Sequence, residues 1–334
     1  MTRSASVQPF QLIAGDATIE AARVLPGGSV DLILTDPPYG IEGDLLHRHY
    51  NRDERFVTPG YVEVPQDRYN GFSREWIAQA ERVLRPGGQL YVVSGYSNLY
   101  DVLDALRGTS LHEINHIIWK YNFGVFTRAK YVSSHYHILY YAKPGGVRTF
   151  NAESRFTLEQ NTAGGGSANY RDREDVWIIN REYKPGREKN KNELPRALLT
   201  KIVQYSSNPG DHVVDFFAGS GSTGVAALEL GRRFTGFELS EAAARRASRA
   251  LVSVEFGAAL ENDAQPKSLA AANRGKRWSE ADATLVQERY RQLRGDGNPQ
   301  KHSIERLAKE FGRGTWAIRR VLRALRQPAS PTTR

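Results

Sequence analysis

The sequence predicts an α/β protein: a mostly parallel sheet flanked by helices, with a small all-α module towards its C-terminal end. Three observations predict it. Two short apolar runs, 30–34 and 213–214, each break off at a polar turn, Asp36-Pro37-Pro38-Tyr39-Gly40 and Asp215-Phe-Phe-Ala-Gly219-Ser220-Gly221. Along the first 254 residues, stretches of helical spacing separate apolar runs of strand length, the alternation that builds a sheet with helices on its faces. Residues 274–326 then hold 14 Lys and Arg against 6 Asp and Glu, in a chain of 334 residues with net charge +9.

Residues 11–14 read as a first strand and 19–25 as a helix, stopped by Pro26-Gly-Gly. The strand 30–34 follows. Its two prolines cannot continue a strand and stiffen the turn. They leave a carboxylate, Asp36, and a ring, Tyr39, at a strand's carboxyl end, the edge where open α/β sheets bind ligands. A carboxylate accepts hydrogen bonds from an exocyclic amine, and a flat ring stacks on a flat base. Residues 41–71 mix charge, Pro and Tyr without a period, the composition of a functional loop, with Arg48, Arg52, Arg55 and Arg68 as candidate phosphate contacts. Next come an amphipathic helix over 76–84, a strand over 89–94 and a helix over 98–106. Two strands, 114–119 and 137–142, form a hairpin closing the sheet.

Residues 143–190 change character. A Gly-rich run at 161–167 precedes Arg171, Arg173, Arg181, Lys184, Arg187 and Lys189, interleaved with Tyr170, Trp177 and Tyr183. Basic and aromatic residues mixed in this way suit a nucleic-acid surface. After a helix over 196–206, the strand ending in Asp215 meets its Gly-rich turn. Gly219 and Gly221 allow close backbone approach to a ligand, and the helix after them opens with N–H groups that can face it. The strand 234–238 ends in Glu238, 23 positions after Asp215, close to the roughly 20 expected of a ribose-binding acid. Gly219, Gly221 and Gly224 have dinucleotide-fingerprint spacing. The preceding Asp-Phe-Phe-Ala fits a nucleoside with a carboxylate-bearing tail better than a pyrophosphate.

A helix over 241–254 leads into an Ala-rich stretch, 257–273, that reads as a linker. The basic module then contains three helices. Ser279 caps the first, Ser303 the second, and Gly312-Arg-Gly-Thr turns into a third over 316–325. Arg313, Arg319, Arg320, Arg323 and Arg326 are left for a phosphate backbone or a groove, as in a helix-turn-helix with its third helix on DNA. Residues 327–334 read as a disordered tail.

Cysteine is absent, which excludes disulfides, thiolate-bound zinc and a thiolate nucleophile. The eight His residues suggest no metal site; His47 and His49, like His135 and His137, have strand spacing. No apolar run has the length of a membrane span, and residues 1–12 lack the apolar core of a signal peptide.

The two turn motifs together resemble the amino DNA methyltransferases, which use S-adenosylmethionine. The resemblance runs from Gln11 to about Leu251. Asp36-Pro37-Pro38-Tyr39 resembles the family's catalytic tetrapeptide, and Phe217-Ala-Gly219-Ser220-Gly221 its cofactor motif. The catalytic motif comes first, as in the permuted beta group. Ala14-Gly-Asp16, the segment 82–92, and Lys191-Asn-Glu-Leu-Pro195 with Pro209-Gly-Asp211 match further family segments. Phe216 departs from the pattern, standing where the family usually has Pro.

The resemblance implies a Rossmann-like S-adenosylmethionine-dependent methyltransferase sheet with circularly permuted motif order over residues 1–256. It implies methyl transfer to the N6 amine of a flipped-out adenine in double-stranded DNA, without a metal. Asp36, Pro37, Pro38 and Tyr39 would hold the base. Asp16 would contact the cofactor's adenine and Glu238 its ribose. Lys191, Asp215, Phe217, Gly219, Ser220 and Gly221 would complete the cofactor site. Residues 143–190 stand where the family places target recognition. A cytosolic, nucleoid-associated location is implied, while a cognate restriction endonuclease and a homodimer stay open. Cytosine C5 methylation, which uses a cysteine in the families that perform it, is disfavoured. Two alternatives remain: N4-cytosine methylation, and a DNA-binding regulator on an inactive scaffold.

Overall fold

The computed structural model describes residues 9–38, 64–122, 128–129, 131–152, 154–155, 168–180, 193–260 and 278–324. Tyr39, Arg48, Arg52, Arg55, the Gly-rich run at 161–167, the basic residues 181–191 including Lys191, the tail and most of the expected linker lie outside them. The chain divides into two compact units, Met1–Asp263 and Ala264–Arg334.

The first unit is built on one sheet of eight strands: β1 (Phe10–Ala14), β2 (Val30–Thr35), β3 (Leu84–Ser94), β4 (His112–Lys120), β5 (His135–Ala142), β6 (Val176–Ile178), β7 (His212–Asp215) and β8 (Arg233–Glu238). Their spatial order is β1-β8-β7-β2-β3-β5-β4-β6. The five strands from β1 to β3 run parallel; β5 is antiparallel to β3 and β4, and β6 is parallel to β4. The helices are α1 (Ala17–Val24), α2 (Tyr69–Val83), α3 (Leu99–Arg107), α4 (Ala168–Asp172), α5 (Arg196–Ser206), α6 (Ser222–Glu229) and α7 (Glu241–Val252).

The apolar run of β2 is continuous because both faces of the strand are covered. Ile33 packs with Ala21, Trp76, Ile77 and Val102 of α1, α2 and α3. Leu32 and Leu34 pack on the other face with Leu198, Ile202, Ala226 and Ala227 of α5 and α6. Polar ties fix these layers. Arg82 on α2 donates to the Ala21 and Leu25 carbonyls at 2.8 and 3.0 Å. Asp31 on β2 accepts from Arg85 of β3 and from the His212 backbone N–H of β7.

In this unit four sequence expectations are corrected. α2 begins at Tyr69, inside the stretch expected to be irregular. Its buried positions Tyr69, Ser73, Trp76, Ile77, Ala80 and Val83 form one helical stripe. β3 begins at Leu84 rather than after Pro86-Gly-Gly, because Gly87 and Gly88 pair with Lys143 through backbone bonds of 2.9 Å. The hairpin does not close the sheet: β5 inserts between β3 and β4, and β6 forms the outer edge, with Trp177 buried. Residues 257–260, expected in the linker, dock on the core instead. The Gly257 and Ala259 N–H groups donate to the Leu228 and Glu229 carbonyls, and Leu260 lies against Gly231.

The second unit packs α8 (Glu280–Gly295), α9 (Gln300–Glu310) and α10 (Thr315–Ala324) around Val286, Leu293, Ile304, Leu307, Ile318 and Val321. Ser279 caps α8, accepting from the Asp282 N–H at 3.0 Å. Ser303 is not a cap. α9 starts after Pro299, and the Ser303 hydroxyl, one turn in, donates to the Pro299 carbonyl.

Candidate active site

The two turn motifs meet at the middle of the sheet. Leu32 and Ile33 of β2 pair with Val213 and Val214 of β7. From β2 the chain proceeds to β3 on one side, and from β7 to β8 on the other, so the carboxyl ends of β2 and β7 form the switch point where such sheets open a crevice. Thr35, the last residue of β2, donates its hydroxyl to Asp215 Oδ1 at 2.8 Å, joining positions 180 apart in sequence.

Asp215 is 4 % exposed. Burial pushes its carboxyl up to about 6, against the opposing hydrogen bonds from the Thr223 hydroxyl, the Phe217 N–H and the Thr35 hydroxyl. The carboxylate is therefore turned inward, where it holds the Gly-rich turn to β2. Phe216 and Phe217 also face inward: Trp76 meets the Phe217 ring edge-on at 5.6 Å, and Phe216 packs against Trp76 and Phe237. Phe216 at the family's Pro position thus fills the core.

Past Phe217 the turn opens. Gly219 (φ 50°) and Gly221 (φ 81°) are both left-handed, a conformation glycine adopts without a Cβ penalty. Among the described residues a Cβ on Gly219 would meet only the Phe217 carbonyl, at 3.9 Å; at Gly221 it would press on Ala247 at 3.2 Å. Half-exposed Ser220 lies between them. Glu238, ending β8, accepts the Gly219 N–H at 3.0 Å and the Ser240 N–H at 2.9 Å. Burial raises its carboxyl above the ordinary range, against those two bonds and the Arg246 charge. Each of its oxygens keeps a second lone pair for a ligand hydroxyl. β1 ends opposite it, Ala14 beside Glu238. Two residues on, exposed Asp16 caps α1, accepting from the Thr18 N–H at 2.8 Å and the Thr18 hydroxyl at 2.7 Å.

On the β2 side, Asp36 is half-buried, Pro37 buried and Pro38 half-buried. The Pro38 carbonyl accepts the hydroxyl of Tyr69 at 2.8 Å. Sequence reasoning missed Thr35 and Tyr69, because neither stands in a recognisable motif and each acts on a distant segment. Among the described residues no group of three or more His, Asp or Glu could hold a metal, and no helix is long and apolar enough to cross a membrane.

Away from the crevice, Asp172 on α4 accepts from Arg155 at 2.7 Å and from the Tyr205 hydroxyl at 2.8 Å. Buried Lys201 lies over the Trp177 ring at 4.2 Å, and burial pushes its ammonium down to about 8. Arg171 and Arg173 remain exposed beside this cluster. In the second unit Arg319 is exposed, while the side chains of Arg320 and Arg323 fall outside the description. Arg313 is not on the surface where the sequence put it: the residue is 6 % exposed, and its guanidinium stacks over Trp278 at 4.5 Å.

The model of the DNA methylase family matches residues 30–249. The DNA adenine methyltransferase YhdJ of Escherichia coli (strain K12) is 31% identical over 298 residues, covering 82% of this chain and 94% of that protein. The type II methyltransferase M.HinfI of Haemophilus influenzae is 28% identical over 244 residues, covering 68% of this chain and 64% of its own length. A solved structure from Thermus thermophilus, described as a putative DNA modification methylase complexed with S-adenosyl-L-methionine, is 27% identical with a TM-score of 0.53, covering 73% of this chain and 93% of that one. With the family's match spanning both turn motifs and most of the sheet, this chain belongs to the DNA methylase family.

Proposed function

We propose that the chain is a site-specific DNA methyltransferase that transfers a methyl group from S-adenosylmethionine to the N6 amine of a flipped-out adenine. The observation that carries this reading is the pairing of β2 with β7, clamped by Thr35 and Asp215. It brings the Asp36-Pro37-Pro38 turn and the Gly219 turn to one sheet edge. The name of YhdJ, an adenine methyltransferase, supports adenine over cytosine.

S-adenosylmethionine supplies the electrophilic methyl, carried on a sulfonium. The chain's own residues hold the donor and ready the amine. Glu238 takes the ribose hydroxyls on its remaining lone pairs, and Asp16 the adenine amine. Gly219, Ser220 and Gly221 bring open backbone against the methionine part, where Lys191 also acts. Asp215 and Phe217 support that backbone from behind. At the other turn Asp36 and the Pro37 carbonyl accept the two amine hydrogens. The amine's lone pair is delocalised into the ring; these bonds favour a pyramidal nitrogen whose lone pair faces the methyl. Positive charge grows on that nitrogen in the transition state, and the Asp36 carboxylate stabilises it. Proximity of the two turns contributes the rest. The amine is out of reach inside a duplex, so the base flips, with Tyr39 as its stacking platform.

Arg171 and Arg173 serve target recognition, and the second unit adds phosphate contacts through Arg319, Arg320 and Arg323. The enzyme would act in the cytosol at the nucleoid; a second copy of the chain and a cognate endonuclease stay open as further partners. Incubating DNA with methyl-labelled S-adenosylmethionine, then separating nucleosides, tests the central reading. Label in 6-methyladenine supports it, label in 4-methylcytosine changes the substrate, and no label in DNA overturns it. Sedimentation with and without DNA tests for the dimer.

A further inference from the structure

We infer that the end of β4 and its connection to β5 form a further DNA-contacting surface, on which Lys120, Arg128 and Tyr131 hold the phosphate backbone of the duplex being methylated. The inference rests on the methyl-transfer reading above. It adds contacts to those of the two turn motifs, of Arg171 and Arg173, and of the second unit.

Charge is the first observation. From Ile114 to Ala152 the sequence has five Lys and Arg and no Asp or Glu, in a chain that carries 37 of them. Two of the five are used inside the fold. Lys143 donates to the Glu81 and Leu84 carbonyls at 2.6 and 2.8 Å, and Arg148 donates to the Tyr140 hydroxyl. Lys130 lies outside the described residues. Lys120 and Arg128 are exposed. Among the described residues no ion pair joins either of them to a carboxylate. The second observation is aromatic. Tyr131, in the same connection, is 99 % exposed, and Tyr96, just past the end of β3, is 84 % exposed. Tyrosine suits an interface, because its ring gives contact area and its hydroxyl a hydrogen bond.

Placement on the sheet supplies the partner. β3 is parallel to β2, and β5 is antiparallel to both β3 and β4, so β4 ends at the edge where β2 ends. Ile118 stands level with His137 and Ser94, two positions past the pair of Val92 with Thr35. Lys120, the last residue of β4, and the connection after it therefore share the edge from which the Asp36-Pro37 turn leaves. Three strand spacings separate β2 from β4, about 14 Å, or about four base steps of 3.4 Å. A duplex that delivers a base to the β2 turn spans that distance. An ammonium, a guanidinium and a phenol hydroxyl all donate to phosphate oxygens, and such contacts fix the register of the DNA without reading its sequence.

The test is fluorescence anisotropy of the full chain on a duplex carrying the methylated motif, with S-adenosylhomocysteine present, over a range of salt. Lys120→Gln and Arg128→Gln should each weaken binding and flatten the slope of log affinity against log salt by about 0.9, the loss of one phosphate contact. Arg128→Lys should restore the slope. Tyr131→Phe should weaken binding about fivefold at an unchanged slope, since a neutral hydroxyl releases no counterion. Arg107 is the control. It ends α3, where the chain has returned to the opposite edge of the sheet to begin β4, and Arg107→Gln should leave the slope as it was. Wild-type slopes in both Lys120→Gln and Arg128→Gln overturn the assignment, and so does an equal flattening in Arg107→Gln. Tyr131→Phe binding as tightly as the wild type overturns the part given to that hydroxyl. A wild type that methylates DNA while the variants match it overturns this inference alone. A wild type that methylates no DNA overturns the parent reading.

Discussion

In the proposed reaction Asp36 would carry the chemistry without carrying the fold, since it lies half-exposed beyond the end of β2. Asp36→Ala should lower the single-turnover rate by roughly a hundredfold or more, as for other preorganised transition-state contacts, and leave cofactor affinity intact. A variant keeping a tenth of the rate would refute that role. Glu238→Ala should weaken S-adenosylmethionine binding by about tenfold or more, since charge-assisted bonds are worth roughly 1.5–3 kcal/mol; calorimetry reads this directly. Part of that loss would come through the Gly219 and Ser240 N–H groups that Glu238 holds. Asp215 has a different signature. Its carboxyl, ordinarily at 3.8, is raised to about 6, so the folded chain holds the proton more tightly than the unfolded one. Stability from this group is full below about pH 4 and is lost as pH rises through about 6. In Asp215→Asn that slope should vanish. The difference in unfolding free energy between variant and wild type should shift by roughly 3 kcal/mol from pH 4 to pH 7, at about 1.4 kcal/mol per pH unit. Denaturant titrations at the two pH values measure it.

The proposed catalytic turn depends on an element that approaches it from outside the sheet. α2 reaches the Pro38 carbonyl through Tyr69. Tyr69→Phe keeps the ring in the core and removes that bond, so kcat should fall several-fold at constant cofactor affinity, a loss of about 1 kcal/mol. Unchanged kcat would mean the turn is held by its prolines alone. β2, β7, β8 and the Gly-rich turn were legible because each carries its signal in consecutive residues: an apolar run, a fixed glycine spacing, a terminal acid. The start of α2 was not, because its buried stripe is set by what it packs on and its first turn shares the composition of the loop before it. β6 escaped notice because three residues, 176–178, have no period of their own and become a strand only by pairing with β4. Arg313 read as surface from its charge, and only the Trp278 ring shows why it is inside. Of the site, the carboxylates and glycines were visible, while the Thr35–Asp215 and Tyr69–Pro38 bonds join segments that sequence spacing does not relate.

The second unit holds 14 Lys and Arg against 6 Asp and Glu over 274–326, nearly the whole excess of the chain's +9, and has its own apolar core. Phosphate neutralisation of that kind adds salt-dependent affinity with little sequence information. Deleting residues 264–334 should weaken DNA binding and flatten its dependence on salt, and leave the methylated motif unchanged. Comparing methylomes at matched occupancy checks the second half; a relaxed or altered motif would make the unit a reader of sequence.

The bond from Thr35 to Asp215 spans 180 positions, which sets a timetable for synthesis. At about 5–20 residues per second, β2 emerges from the ribosome roughly ten to forty seconds before β7. Until β7 follows, β2 can pair on one side only, with β3 once that strand has emerged, and its other edge, apolar on both faces, is an open template for a neighbouring nascent chain. Long-range parallel pairing is intrinsically slow to form. The same join that assembles the crevice therefore makes a strand near residue 215 a condition for the first third of the chain to become safe from aggregation.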